Sequence, residues 1–200
     1  MKKLAIVGAG GFGREVFHQV IDSGNFAAND ITFFVDDIYA TENVRPLSAL
    51  DISEYLVLVA IGDPTVRSNI VNTLPIDTNY YTFVHRSAIL TAPDIQIGEG
   101  SIICAGCILT THIELGKHTQ LNLHTTIGHD VVAGDFFTTA PGAKISGNCK
   151  FGKLVYLGTN CSIREKIQIT DQVVIGMGAS VIKDITESGV YVGIPAQLRK

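Results

Sequence analysis

The stretch IGEGSIICAGCILTTHIELG, residues 97–116, returns to an apolar residue every six positions. Stepping by six from Ile97 meets Ile103, Leu109, Leu115, Leu121, Ile127, Ala133, Thr139, Ile145, Phe151, Leu157, Ile163, Ile169, Ile175 and Val181. The fifteen hexads run without an insertion, and the pattern reaches back more loosely to His85 and Thr91. Their second place is often glycine, as at Gly98, Gly116, Gly128, Gly134, Gly152, Gly158 and Gly176. Their fifth place is apolar or small, as at Cys107, Ile113, Val131 and Ala143. Places one and five point the same way, as a short strand followed by a turn requires. Six residues cannot hold a strand, a helix and a return, but they can hold one flat side and a corner. Three sides close a triangular coil of eighteen residues, and about five coils stack, each ~4.8 Å from the next. The spacing predicts a parallel β-helix over residues 85–200, in which residues eighteen apart lie over one another.

Residues 1–84 have a different grammar. KLAIV is a short apolar strand, GAGGFG follows, and REVFHQVIDSG places Val16, Val20 and Ile21 at helical spacing. The motif Gly8-x-Gly10-x-x-Gly13 thus lies between a strand and a helix, where backbone can approach a phosphate at a helix N-terminus. A second strand, ITFFV, ends in Asp36 and Asp37, where an acid can hold ribose hydroxyls or a base edge. YLVLVAIG reads as the third strand and PTVRSNIVNTL as a helix, and YYTFV leads into the repeats. This Rossmann-like α/β unit is about half of a full dinucleotide-binding domain. It suits one nucleotide of a nucleotide-sugar better than NAD. A glycine turn that binds nothing is the remaining alternative.

Within the repeats, TTIGHDVVAGDF (125–136) sets His129 and Asp130 where a wall needs neither. The eighteen-residue period puts His129 over Thr111 and under Gly147. An imidazole beside an uncovered glycine N–H combines a proton acceptor with an oxyanion donor, as acyl transfer needs. Asp130 can then hold the ring in one tautomer. The same residues also read as a solvated His–Asp turn.

Hydrophobic residues make up 46% of the 200-residue chain and charged residues 17%, enough apolar content for a packed core. A net charge of −4 gives no basic field for nucleic acid or an anionic membrane, and no apolar run approaches a membrane span. The lysines and uncharged run at the N-terminus imitate a signal peptide, but they lead into a glycine turn and a helical pattern, so a cytoplasmic location is expected. Four cysteines agree with a reducing compartment.

The segments GAGGFGREV, FVDD, AIGDPTVR, IGHDVVAGD, APGAKISGN, IGMGASVIKDI and VYVGIPAQ together resemble a family of bacterial hexapeptide-repeat sugar acetyltransferases. That family includes the sialic acid O-acetyltransferases and the UDP-4-amino-sugar N-acetyltransferase of bacillosamine synthesis. The resemblance covers nearly the whole chain. It implies a left-handed β-helix, a homotrimer, and acetyl-CoA as donor in a groove between subunits near Gly158, Gly176 and Gly178. It implies His129 as catalytic base, Asp130 as its acid partner and Gly147 as the oxyanion donor. The nucleotide would lie at Gly8, Gly10, Gly13 and Asp36. Many relatives carry histidine where this chain has Phe12 and Thr138, both on the acceptor side.

The expected activity is N-acetylation of a nucleotide-linked amino sugar. O-acetylation of a free sugar such as sialic acid, or a non-catalytic nucleotide-sensing subunit, are the alternatives. No metal site is expected. Cys104 and Cys107 spell C-x-x-C, but Cys149 and Cys161 fall in other coils, so all four read as wall-filling residues. His112, His118 and His124 are six apart and so fall on three different corners, most of them surface positions. Asn122 and His124, one hexad before the base, are candidates for the acceptor pocket.

Overall fold

The computed structural model describes residues 2–199. Its first part is a four-stranded parallel sheet in the order β3-β2-β1-β4. The strands are β1 (Lys3–Val7), β2 (Ile31–Val35), β3 (Arg45–Pro46) and β4 (Tyr55–Val59). Leu4 to Val7 are all fully buried because both faces of the sheet are covered. Leu4 and Ile6 pack on one side with Val16 and Val20 of α1 (Gly11–Asp22), while Ala5 and Val7 pack on the other with Ile70 of α2 (Pro64–Thr73). The chain leaves β1 to one side for β2 and returns to the other side for β4. The carboxyl ends of β1 and β4 therefore flank the topological switch point, where open α/β sheets hold ligands.

The second part is a parallel β-helix with three faces. The first carries Phe83–Val84, Ile102–Ile103, Gln120–Leu121, Thr138–Thr139, Tyr156–Leu157, Val173–Ile175 and Gly189–Val192. The second runs from Ile89–Leu90 through Ile108–Leu109, Thr126–Ile127, Lys144–Ile145 and Ser162–Ile163 to Ser180–Val181. The third runs from Gln96–Ile97 through Glu114–Leu115, Val132–Ala133 and Lys150–Phe151 to Gln168–Ile169. The faces are seven, six and five parallel strands deep, so the stack exceeds the five coils expected. Places one and five of the hexads fill the interior, including Cys107, Cys149 and Cys161; Cys104, at place two, faces the α/β unit instead of filling the wall, and all four cysteines are free and buried.

In the last coil partners are sixteen residues apart, as in Val174 with Val190, and from Ile97 to Val181 they are eighteen apart, as in Ile97 with Leu115. Before Ile97 they are nineteen apart, as in Val84 with Ile103 and Leu90 with Leu109. One extra residue sits in the corner Thr91–Ile95. Val84 and Leu90 therefore hold the wall places, and the expectation of His85 and Thr91 is corrected by one position. Freed from the wall, His85 pairs through Nε2 with Asp22 of α1 at 3.2 Å.

Coil stacking explains the second-place glycines: a Cβ on Gly98 would stand 2.5 Å from the Gly116 carbonyl carbon. Place four turns each corner in the left-handed region, at φ 50° for His112, 58° for Asp130 and 60° for Asn148. At the far end Gly189–Val192 is followed by Gln197–Leu198, which returns antiparallel along it. No helix among the described residues is long and apolar enough to cross a membrane.

The α/β unit docks on the first face. Ile102 and Cys104 join the core on the α1 side of the sheet, and Gln120 Nε2 donates to Val59 O at 2.8 Å. The fully buried Arg67 of α2 clasps the two parts. Its Nε donates to His118 O, one terminal nitrogen to Ile61 O and Gln120 Oε1, and the other to Phe136 O and the Thr138 hydroxyl. Burial pulls this guanidinium below its ordinary pKa while Asp63 acts in the opposite sense.

Candidate active site

His129 and Asp130 lie at the corner between the second and third faces. Asp130 turns that corner, and its N–H donates to Thr111 O at 3.1 Å. His129 Nδ1 stands 2.6 Å from Asp130 Oδ2, so Nδ1–H donates and Nε2 keeps its lone pair. Asn148 Nδ2 comes within 3.5 Å of the same Nδ1 from the next coil. The Nε2 edge faces Gly147, where a Cβ would stand 2.6 Å from Nε2. Only glycine leaves room for the imidazole here. The Gly147 N–H has no hydrogen-bond partner among the described residues, whereas its carbonyl accepts from Lys166 N. A proton acceptor and a free backbone donor thus meet at one exposed corner.

A cavity of about 750 Å³ lies between the α/β unit and the upper first face. Phe12, Gly62, Asp63, Pro64 and Thr65 come from the switch point. Gln120, Asn122, Thr138, Thr139, Ala140, Leu154, Tyr156, Gln172 and Val174 come from the β-helix. The wall is largely apolar, and among the described residues no lysine or arginine lines it. Asp63 is engaged, because its Oδ1 caps α2 by accepting from Thr65 N and Val66 N. α1 has no side-chain cap at Gly10 and no acid in its first turn, so its N–H groups are open to an anion. Gly8 and Gly13 serve packing as well: a Cβ on Gly13 would run into Gly8 O, and Gly8 takes φ +110°.

The sequence-derived candidates divide among several places. Asn122 lines the cavity, and Phe12 and Thr138, the two departures from the resemblance, line it too. Thr138 is almost fully buried because its hydroxyl accepts from Arg67 and donates to Phe136 O. Asp36 follows β2, beside the strand that leads to Gly8, whose N–H donates to Phe34 O. Asp37 Oδ1 accepts from Ser48 N at 3.0 Å, and hydrogen bonding to Ser48 holds its carboxyl below the ordinary value. Both acids border a different cavity, next to Leu47 and Leu50. Gly158, Gly176 and Gly178 stack near the top of the corner between the first and second faces, with open space around Gly178.

The three histidines do fall on three corners. His112 shares the corner of His129, and His124 is exposed at the corner between the first and second faces. His118 departs from the expected surface position: it is 3% exposed, because α2 and the segment after it cover its corner. Its ring stacks on Phe136 at 5.2 Å and meets the Tyr80 ring edge-on at 4.5 Å.

Sequence reasoning missed Gly62–Thr65, Gln120, Thr139, Tyr156 and Gln172. AIGDP was a visible signal for the first group, since it ends a strand beside the glycine turn. Gln120 and Tyr156 point outward from the coils, Gln172 turns a corner, and Thr139 holds a wall place that periodicity assigns to the interior.

The corner of His129 is the one opposite the docking face. Six residues a side at ~3.3 Å each give sides of at most ~20 Å, so that corner lies on the order of 15 Å from the cavity's face. In one chain the cavity and the His129 pair point in different directions.

A family profile described as the PglD N-terminal domain matches residues 3–74. Among curated proteins, GDP-perosamine N-acetyltransferase of Escherichia coli O157:H7 is 27% identical over 190 residues, covering 89% of this chain and 85% of that protein. Among solved structures, WeeI from Acinetobacter baumannii AYE is 30% identical, with a TM-score of 0.87 over 98% of this chain and 99% of that one. The acetyltransferase domain of PglB from Neisseria gonorrhoeae FA1090, in complex with acetyl coenzyme A, is 25% identical, with a TM-score of 0.88 over 99% of both chains.

Proposed function

The chain belongs to the hexapeptide-repeat amino-sugar N-acetyltransferase family, and from that premise we propose that it transfers the acetyl group of acetyl-CoA to the amine of a nucleotide-linked amino sugar. The observation that carries this reading is the His129 ring, tied to Asp130 through Nδ1 and turned through Nε2 toward Gly147.

Transfer is direct. His129 Nε2 takes a proton from the amine as its nitrogen bonds to the thioester carbonyl carbon. Gly147 N–H donates to the oxygen that gains charge. The C–S bond then breaks, and the imidazolium returns its proton to the departing thiolate. Asp130 stabilises the imidazolium and fixes its tautomer. All four cysteines are buried, and burial raises the Cys104, Cys107 and Cys161 thiols to about 12, so none is a ready nucleophile.

The cavity at the switch point holds the acceptor, with its phosphates toward the open N-terminus of α1 and its nucleoside toward Asp36. Because His129 stands at the far corner of its own chain, the site is completed by a neighbour, in a homotrimer. One subunit brings the cavity and the Gly158–Gly178 corner for acetyl-CoA, and the next brings His129 and Gly147. Use of acetyl-CoA fits a cytoplasmic enzyme.

The deciding experiment follows free thiol released from acetyl-CoA with GDP-, UDP- and dTDP-linked amino sugars and with free sialic acid. Turnover with a nucleotide-linked amino sugar is expected. Turnover of sialic acid with none of the others would replace N- by O-acetylation.

A further inference from the structure

The first corner in the column of His129 differs from those that stack directly on it. Corners there hold four residues, as in Thr110–Ile113 and Gly128–Val131, but the first holds five, Thr91–Ile95. Asp94, eighteen residues before His112, lies under it. Asp94 Oδ1 accepts from His112 N at 3.1 Å, Oδ2 accepts from the Thr111 hydroxyl at 3.1 Å, and Oδ2 lies 3.2 Å from His112 Nε2. The other ring nitrogen, His112 Nδ1, lies 3.9 Å from Asp130 Oδ1. Asp130 thus stands between two imidazoles from successive coils, His129 on Oδ2 and His112 on Oδ1.

We infer that His112, seated by Asp94, is a positioning residue for the His129–Asp130 pair. It holds the Asp130 carboxylate by charge and draws off part of the negative potential that Asp130 gives the base. The inference rests on the reading of His129 as base. A protonated His112 stabilises Asp130 as an anion in the rotamer that reaches His129. The same positive charge opposes a second positive charge on His129. The neighbouring groups leave this role to His112. Thr111, Gly147 and Asn148 carry no charge, and Arg164, Glu165 and Lys166 occupy the coil beyond Asn148.

The test is the titration of the His129 ring proton followed by NMR, together with the acid limb of kcat/KM for acetyl transfer. It compares the wild type, His112→Gln and His112→Lys. Lys166 already takes φ +62° in this column, so the backbone accepts a lysine. In His112→Gln the His129 midpoint and the acid limb should rise together by about half a pH unit. In His112→Lys, which keeps the charge, they should stay at or below the wild-type position. A His129 midpoint unmoved in His112→Gln, in a protein whose other resonances are unchanged, overturns the proposal. The NMR midpoint is read without turnover, so it stands apart from the reading of His129 as base: that reading falls if His129→Ala retains activity, whatever the midpoints show.

Discussion

The His129 ring turns its Nε2 edge onto Gly147, one coil along, so closely that a Cβ there would stand 2.6 Å from Nε2. Gly147→Ala should therefore displace the base and cover the backbone donor at once. A loss of ~10²–10³ in kcat is expected, the range for removing an oxyanion donor. Steady-state kinetics beside a thermal melt check it, and a kcat within twofold of wild type would remove Gly147 from the site.

Replacing His129 by Ala should lower turnover by ~10²–10⁴-fold, the usual contribution of a general base. Acetyl-CoA affinity, measured by calorimetry, should change little, because the proposed donor glycines lie on another corner. A loss of donor binding in step with turnover would assign the residue to binding instead.

Phe12 presents its ring to the cavity from the first turn of α1. Phe12→Ala should raise the acceptor KM roughly tenfold, as loss of a buried aromatic contact implies, and leave the acetyl-CoA KM near its wild-type value. Equal increases in both constants would mean that the cavity does not belong to the acceptor.

Arg67 makes hydrogen bonds with both halves of the molecule and is fully buried. Arg67→Ala strands carbonyls at Ile61, His118 and Phe136 and should cost roughly 3 kcal/mol or more. Arg67→Lys should recover little, because one ammonium cannot span acceptors that a planar fork meets. Urea unfolding of the three proteins gives the comparison.

Burial, with Arg67 adding to it, pulls the pKa of His118 from 6.5 to about 4. The unfolded chain therefore binds this proton first. The stability that neutral His118 confers is full above about pH 6.5 and is lost as pH falls from there toward 4, by on the order of 2 kcal/mol after allowance for solvent screening. His118→Gln should flatten that part of the stability curve.

The hexads were legible because inward places repeat at a fixed period, and that period alone stacked His129 on Gly147. The one-residue slip was hidden because Thr91 to Asp94 is a corner with no apolar beat to lose. The cavity was hidden for the converse reason: Gln120, Thr138 and Tyr156 face outward, where neighbours rather than periodicity decide the residue. The role of Arg67 was hidden because its partners in the β-helix lie 51 to 71 residues away. His118 looked like a surface corner until α2 covered it.

A stack of parallel rungs ends in an unpaired strand, and such an edge invites the next molecule to add itself as another rung. This chain closes the edge of its first face by folding Gln197–Leu198 back antiparallel against Tyr191–Val192. A second chain arriving there would meet a reversed strand instead of a template for a further coil. The return strand thus works as a stopper that sets the length of the stack and guards against end-to-end fibre growth.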